Sequence, residues 1–303
     1  MERALSLTVH DGSSAGEAQP VTASAVLENG GRLHIRLTVC AEDGTPVRAT
    51  VRVDEGFTLR PSDRSGHDAD CYWVSQLHSS DEQTAVCENG GAVLCWEALP
   101  CADCLPPVMK GSLTAEVGGR TYTLPLQWGS GCLTRFRYAG SFGNRDGAAG
   151  PDAAYPAALA GDAPAATVNG ETRAWIRDPG FEFNPYGYVD NRRRDCYMGE
   201  DESFSGVVYS RCDLWLPEET AVRFLLRHEG GLQLWAGKRM LYAAERADVF
   251  HEADVRLPAG RITLLLKNWV CGWKPYSANE FGYFLRVQSA GSEEPPAGLR
   301  VSP

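Results

Sequence analysis

Leu232-Gln233-Leu234-Trp235-Ala236-Gly237-Lys238 and, further on, Leu257-Pro258-Ala259-Gly260-Arg261-Ile262-Thr263-Leu264-Leu265-Leu266-Lys267 decide the fold. In both, a strand-length apolar run meets a glycine where the chain can reverse, which is the grammar of β-turns and not of helices. Working outward, Val208, Ser210, Cys212, Leu214 and Leu216 share one face, and Val222, Phe224 and Leu226 share the next after Pro217. Ile262 with Leu264 and Leu266, then Tyr283 with Leu285 and Val287, continue the period of two. The stretch Val207 to Val287 therefore predicts a jelly-roll of antiparallel strands.

The N-terminal half carries the same period. Leu33, Ile35, Leu37 and Val39 alternate with His34, Arg36 and Thr38, and Ala49, Val51 and Val53 repeat the pattern after Glu42-Asp43-Gly44. Leu113, Ala115 and Val117 are predicted to pair with Tyr122, Leu124 and Leu126 across Gly118-Gly119, a dipeptide free to take positive φ. Asn29-Gly30-Gly31 and Asn89-Gly90-Gly91 are further turn signals at the short spacing of a sandwich. Helical periodicity is nearly absent, since the alanine-rich Ala153 to Ala166 is interrupted by Pro156 and Pro164.

The expectation is an all-β protein of two β-sandwich domains. Residues 1–130 read as an Ig-like sandwich and residues 179–303 as a jelly-roll. Residues 131–178, rich in Gly, Ala, Pro and Asp, read as a loop-rich connection or wrap. A length of 303 residues suits two cores.

Composition narrows the partners. The formal charge of −10 repels phosphate backbones, and the basic run Arg192-Arg193-Arg194 is followed at once by Asp195 and then by Glu200-Asp201-Glu202. Nucleic acid is not an expected partner. No window holds the roughly 20 apolar residues of a membrane helix, so no membrane partner and a soluble chain are expected. Met1 to His10 contains no apolar signal core, which makes the cytoplasm the expected compartment, with a secreted chain trimmed of its signal as the alternative. Most of the 10 cysteines are then expected as thiols.

Gly140-Ser141-Phe142, Trp175, Tyr209, Leu232 to Lys238, Leu257 to Lys267, Trp273 and Phe284-Leu285-Arg286 together resemble the galactose-binding-like and PA14-like accessory β-sandwiches over about residues 138–288. In those families a strand ending in Trp enters a Val-Asn-Gly-Lys hairpin, and a Leu-x-x-Gly turn precedes an apolar strand ending in Lys. The resemblance implies a non-catalytic accessory domain that binds carbohydrate. Ala236 stands where the family hairpin has Asn, and Glu229-Gly230 stands where some PA14-like adhesins place calcium-holding aspartates, so a calcium-dependent sugar site is not expected there.

Trp269, Trp273 and Tyr276, with Asn268, Lys274 and Asn279 beside them, fall between two predicted strands and are expected on one loop. Flat rings suit the apolar face of a sugar, and fixed amides and cations suit its hydroxyls. Phe181 to Arg192 forms a second aromatic and polar segment, from which Tyr186, Tyr188, Asp190 and Arg192 are candidate contacts. In both segments the alternative is that the rings pack onto the sheet. Cys101-Ala102-Asp103-Cys104 has the spacing of half a zinc site, but the other ligands would have to come from scattered residues such as Cys71, Cys87, Cys95, His67 or His78; no metal or other cofactor is expected.

A glycoside hydrolase would need two facing carboxylates, for which Asp195, Glu200, Asp201, Glu202 and Glu229 are available. No nucleophile elbow, zinc-protease helix motif or phosphate loop occurs. The sequence thus favours glycan or small-sugar binding, with a protein partner or homo-oligomer as the rival reading and a hydrolase as the third.

Overall fold

Val117 faces Arg120, Ala115 faces Tyr122 and Leu113 faces Leu124, so the chain reverses on Gly118-Gly119 alone. Both glycines have positive φ, +56° and +78°, the conformation a two-residue hairpin between right-twisted strands demands. In this computed structural model the described residues are 5–7, 21–27, 32–39, 45–54, 56–62, 71–74, 82–87, 92–143, 164–168, 171–177, 182, 187–191, 204–245, 247–273 and 281–303. They form two units, one of Met1–Asp103 with Val108–Gly129 and one of Cys104–Pro107 with Ser130–Pro303. Among the described residues no helix is long and apolar enough to cross a membrane.

The first unit contains β1 (Leu5–Leu7), β2 (Val21–Leu27), β3 (Leu33–Val39), β4 (Val47–Val53), β5 (Phe57–Pro61), β6 (Cys71–Val74), β7 (Glu82–Cys87), β8 (Ala92–Pro100), β9 (Met109–Val117) and β10 (Arg120–Trp128). One sheet runs β1-β2-β3-β8-β5 and the other β10-β9-β4-β7-β6. With β2, β3, β4, β5, β8, β9 and β10 taken in order as strands A to G, these sheets contain the ABED and GFC pairings of a constant-type immunoglobulin sandwich. The β6–β7 hairpin is an addition between D and E that lies against β4.

The burial of β3 and β4 alternates strictly, with Leu33, Ile35, Leu37, Val39, Val47, Ala49, Val51 and Val53 all inside. Each such Val or Leu contributes about 1.5–3 kcal/mol of transfer free energy. Phe57 meets Trp128 edge to face at 5.7 Å.

The second unit contains β11 (Arg137–Gly143), β12 (Ala165–Val168), β13 (Glu171–Ala174), β14 (Ile176–Arg177), β15 (Tyr188–Asp190), β16 (Phe204–Leu216), β17 (Thr220–Glu229), β18 (Gly231–Ala236), β19 (Arg239–Ala244), β20 (Ala247–Leu257), β21 (Gly260–Trp273), β22 (Gly282–Ser289) and β23 (Arg300–Ser302). Its pairing is nested: β15 with β22, β16 with β21, β17 with β20, and β18 with β19. A long antiparallel hairpin rolled upon itself gives this order and divides into two sheets, β16-β21-β18-β19 and β15-β22-β17-β20, which is the jelly-roll. Gly237 (φ +57°) starts the β18–β19 turn, and Gly260 (φ +94°) ends the connection that carries the chain from one sheet to the other.

Within residues 131–178 the described residues include strands, while residues 144–163 lie outside the described residues. Arg137–Gly143 is a strand bonded between β14 and β16, and β12 with β13 forms a hairpin of its own. Ala139, in β11 of the seven-stranded sheet that also holds β14, β16, β18, β19, β21 and β23, and Ala166, in β12, are buried in one apolar cluster.

That sheet is covered on both sides. Its inner face, with Val208, Cys212, Leu214, Ile262, Leu264 and Leu266, meets Val222, Phe224, Leu226, Tyr283, Leu285 and Val287 of the four-stranded sheet. Its outer face buries a second cluster of Val207, Tyr209, Trp235, Leu265 and Trp269 with Phe142 and Ala166.

Candidate functional site

Period-two alternation carries two polar side chains into the second unit's interior. After Val222, Phe224 and Leu226 the next inward position on β17 is His228, and after Ile262, Leu264 and Leu266 the next on β21 is Asn268. His228 is 1% exposed and Asn268 is fully buried. Both stand at the end of the sandwich where β15, β17 and β21 finish and β18 and β22 begin.

His228 Nδ1 lies 2.7 Å from the Gly230 carbonyl and Nε2 lies 2.9 Å from the Tyr242 hydroxyl. A carbonyl only accepts, so in the neutral ring Nδ1 carries the proton and Nε2 accepts from the phenol. Burial holds this imidazole neutral, lowering its pKa to about 4; the Gly230 bond opposes that shift and His251 adds to it. Burial also pushes the Tyr242 hydroxyl above its usual range, keeping it a donor.

Asn268 uses its whole amide. Nδ2 donates to the carbonyls of Glu229 (3.1 Å) and Gly231 (2.8 Å), and Oδ1 accepts from Asn191 Nδ2 at 2.8 Å. The Asn191 backbone N–H donates to Phe281 O at 2.8 Å. One short network therefore ties the end of β15, the turn between β17 and β18, the upper part of β21 and the start of β22. Gly230 has φ +70°, and a Cβ there would meet the backbone of Trp269.

The two segments singled out from sequence spring from this network. Phe181 to Arg192 contains β15 and Asn191, and Trp269 and Trp273 lie in β21. Tyr186, Arg192, Tyr276 and Asn279 lie outside the described residues. Trp273 closes β21, where its backbone pairs with Phe204.

Trp269 is a correction. It lies within β21 and not on a loop, and it is 2% exposed among Val207, Tyr209, Trp235 and Leu265. Its ring covers Gly231, where any Cβ would collide with the indole, and Lys267 Nζ stands 5.2 Å from the ring centroid. A buried indole in this position cannot serve as a stacking platform.

The family pattern ends the strand at Lys267 and the sequence places Asn268 on the loop, but β21 runs through both. Both are interior: Lys267 is 1% exposed, opposite Tyr209 on one side and Gln233 on the other. Burial lowers the pKa of this amine, which Glu245 partly offsets, and raises that of Tyr209 to about 12.

Cys101 is exposed, Cys104 is half-buried, and both are free thiols. Among the described residues no three His, Cys, Asp or Glu side chains converge as a metal site would require. Of the five carboxylates considered for hydrolysis only Glu229 falls among the described residues. Among those residues the carboxylates with a resolved shift, Glu97 and Asp254, both move down and not up.

No protein-family model matches this chain, and no curated protein matches it. Among solved structures it is similar to an anti-sigma factor domain-containing protein at 13% identity, over 84% of this chain and 78% of that one, with a TM-score of 0.28. A cohesin module from a family 33 glycoside hydrolase of Clostridium perfringens ATCC13124 aligns at 11% identity over 35% of this chain and 92% of its own, with a TM-score of 0.25. A lectin from Pleurotus ostreatus in complex with GalNAc aligns at 8% identity over 84% of this chain and 71% of its own, with a TM-score of 0.23. At such scores function has to be argued from the residues of the chain itself.

Proposed function

We propose that the jelly-roll unit binds a glycan at the end of the sandwich from which residues 181–192 and 269–281 emerge. The observation that carries this reading is the Asn191–Asn268 hydrogen bond with the Asn191–Phe281 backbone bond beside it, which holds the stems of both aromatic segments together. A buried, hydrogen-bonded polar network at the ends of β15 and β21 is the kind of support that pre-organises a binding surface. Trp273, Tyr276 and Tyr186 are assigned to stacking, and Asn279 and Arg192 to hydroxyl recognition; Trp269 belongs to the packing beneath. A glycan array followed by calorimetric titration tests the reading. Selective binding that disappears in a Trp273→Ala, Tyr276→Ala double variant supports it, and identical binding by that variant overturns the site.

A second reading, docking of a protein partner, is favoured by one observation. Val249 (66% exposed) and Phe250 (51% exposed) project from edge strand β20 where its register against β17 shifts. Exposed apolar edges of this kind recruit other chains. Analytical ultracentrifugation of the chain and of Phe250→Asp tests it; a monomer in both cases removes self-association.

A further inference from the structure

We infer that Cys71 and Cys87 are a disulfide-forming pair that staples the edge hairpin of the Ig-like unit. The register of β6 against β7 sets Cys71 directly opposite Cys87, with Tyr72 opposite Val86, Trp73 opposite Ala85 and Val74 opposite Thr84. Directly opposed residues in an antiparallel pair have Cα atoms about 4.5 or 5.5 Å apart, depending on the hydrogen-bonding phase, and share one face of the sheet. Both separations fall within the roughly 4.4–6.8 Å that a disulfide spans.

The rest of the register leaves Cys87 this one cysteine partner across a strand. On its other side it faces Val47 of β4, while Cys95 faces Arg36 in the opposite sheet. The described Cys101, Cys104, Cys132 and Cys212 are free thiols.

The position gives the bond a use. β6 is the outermost strand of its sheet and is held through β7 alone, by a four-residue ladder. Cys71 opens β6 and Cys87 closes β7, so the bond joins the ends of the hairpin remote from its connection and encloses residues 72–86. Closing such a loop removes freedom mainly from the unfolded hairpin.

The oxidant is a low-molecular-weight disulfide such as oxidised glutathione. One protein thiolate attacks it, forming a mixed disulfide and releasing one glutathione thiol. The second protein thiolate then attacks the protein sulfur of that mixed disulfide and releases the other. Two protein S–H bonds and one glutathione S–S bond are consumed; one protein S–S bond and two glutathione S–H bonds form.

The full native chain is equilibrated with oxidised glutathione, quenched in acid, and denatured with N-ethylmaleimide. It is then cleaved after glutamate, which cuts at Glu82 between the two cysteines and at Glu88 before Cys95, and mapped by mass spectrometry. The expected product is one pair of peptides joined through Cys71 and Cys87, lighter by two hydrogens than the separate peptides and split by reductant. In Cys87→Ser the pair is absent and Cys71 carries glutathione or maleimide. Recovery of both cysteines as maleimide adducts from the oxidised wild-type chain, or linkage of either to a different cysteine, overturns the proposal.

Discussion

The amide of Asn268 bridges three chain segments by itself: its nitrogen donates to the carbonyls of Glu229 and Gly231, and its oxygen accepts from Asn191 at 2.8 Å. Each bond contributes about 1 kcal/mol net, but removing the amide leaves buried partners without it, and each such loss costs about 1–3 kcal/mol. Asn268→Leu, which keeps the branched shape but not the amide, is therefore expected to lower the unfolding free energy of the jelly-roll unit by roughly 3 kcal/mol. Urea denaturation followed by tryptophan fluorescence checks this. A loss below about 0.5 kcal/mol would mean that the amide does not tie these segments together.

His228 makes the same region sensitive to acid. The unfolded chain takes up a proton at this residue near pH 6.5, whereas the folded chain resists until about pH 4. Between those values the unfolded state binds more protons, so stability falls as pH drops through this window and changes no further through His228 below it. The loss amounts to about 3 kcal/mol at 1.36 kcal/mol per pKa unit. In His228→Gln the difference in stability between pH 7.5 and pH 4.5 should shrink by most of that amount. Parallel urea titrations of the two proteins would show equal pH slopes if the imidazole were not responsible.

Much of this architecture is legible in the chain because alternation survives wherever one sheet face is buried and the other is wet. Leu33 to Val39 and Gly118-Gly119 are such places, and the register follows them residue for residue. The reading fails at β21, where both faces are buried. There Lys267 on the outer face and Asn268 on the inner face are both buried, so polarity does not mark the end of the strand. Trp269, two residues beyond Lys267 on the same face, therefore continues the strand and does not open a loop. His228 and Asn268 could have been found by extending the inward positions of β17 and β21 by one step each. The pairing of Asn191 with Asn268 could not, because it joins residues 77 apart in the chain.

Two glycines separate steric from conformational cost. At Gly231 the indole of Trp269 occupies the space a Cβ would need, and its backbone φ is not in the left-handed region. Gly231→Ala should cost about 3 kcal/mol or more through overpacking of the β18–β21 pair. At Gly119 nothing lies within 4 Å of an added Cβ, but φ is +78°, so Gly119→Ala should cost only about 1–2 kcal/mol. Thermal unfolding of both variants decides the point; an equal or reversed ranking contradicts the packing described for Trp269.

Glu182 provides a charge test. Its carboxylate is 3% exposed and accepts from Arg135 Nε at 3.2 Å and Arg177 Nε at 2.5 Å, while Arg135 Nη1 donates to the Val301 carbonyl at 3.1 Å. Removing the charge takes the carboxylate from a buried guanidinium, a change that typically costs about 3–5 kcal/mol. Glu182→Gln is expected at the lower end, since the amide oxygen still accepts one bond. Replacing Arg177, which is 38% exposed, by Met should cost less than half as much. Denaturant midpoints that rank the two variants the other way would assign the anchoring to Arg177.

The sharpest contrast lies between two tryptophans four residues apart. Trp269 fills the space above Gly231 within the outer-face cluster, so Trp269→Ala opens a large cavity and should cost about 3–5 kcal/mol of stability. Trp273 is the last residue of β21 and is assigned to the proposed glycan surface. Trp273→Ala should therefore leave the melting temperature within a few degrees of wild type while weakening glycan affinity by about tenfold or more, which corresponds to about 1.4 kcal/mol. Differential scanning fluorimetry and calorimetric titration on the same two preparations separate the roles. Should Trp273→Ala unfold the unit while binding per folded molecule stays unchanged, Trp273 would belong to the core with Trp269, and recognition would have to rest on Tyr186, Tyr276, Asn279 and Arg192 without it.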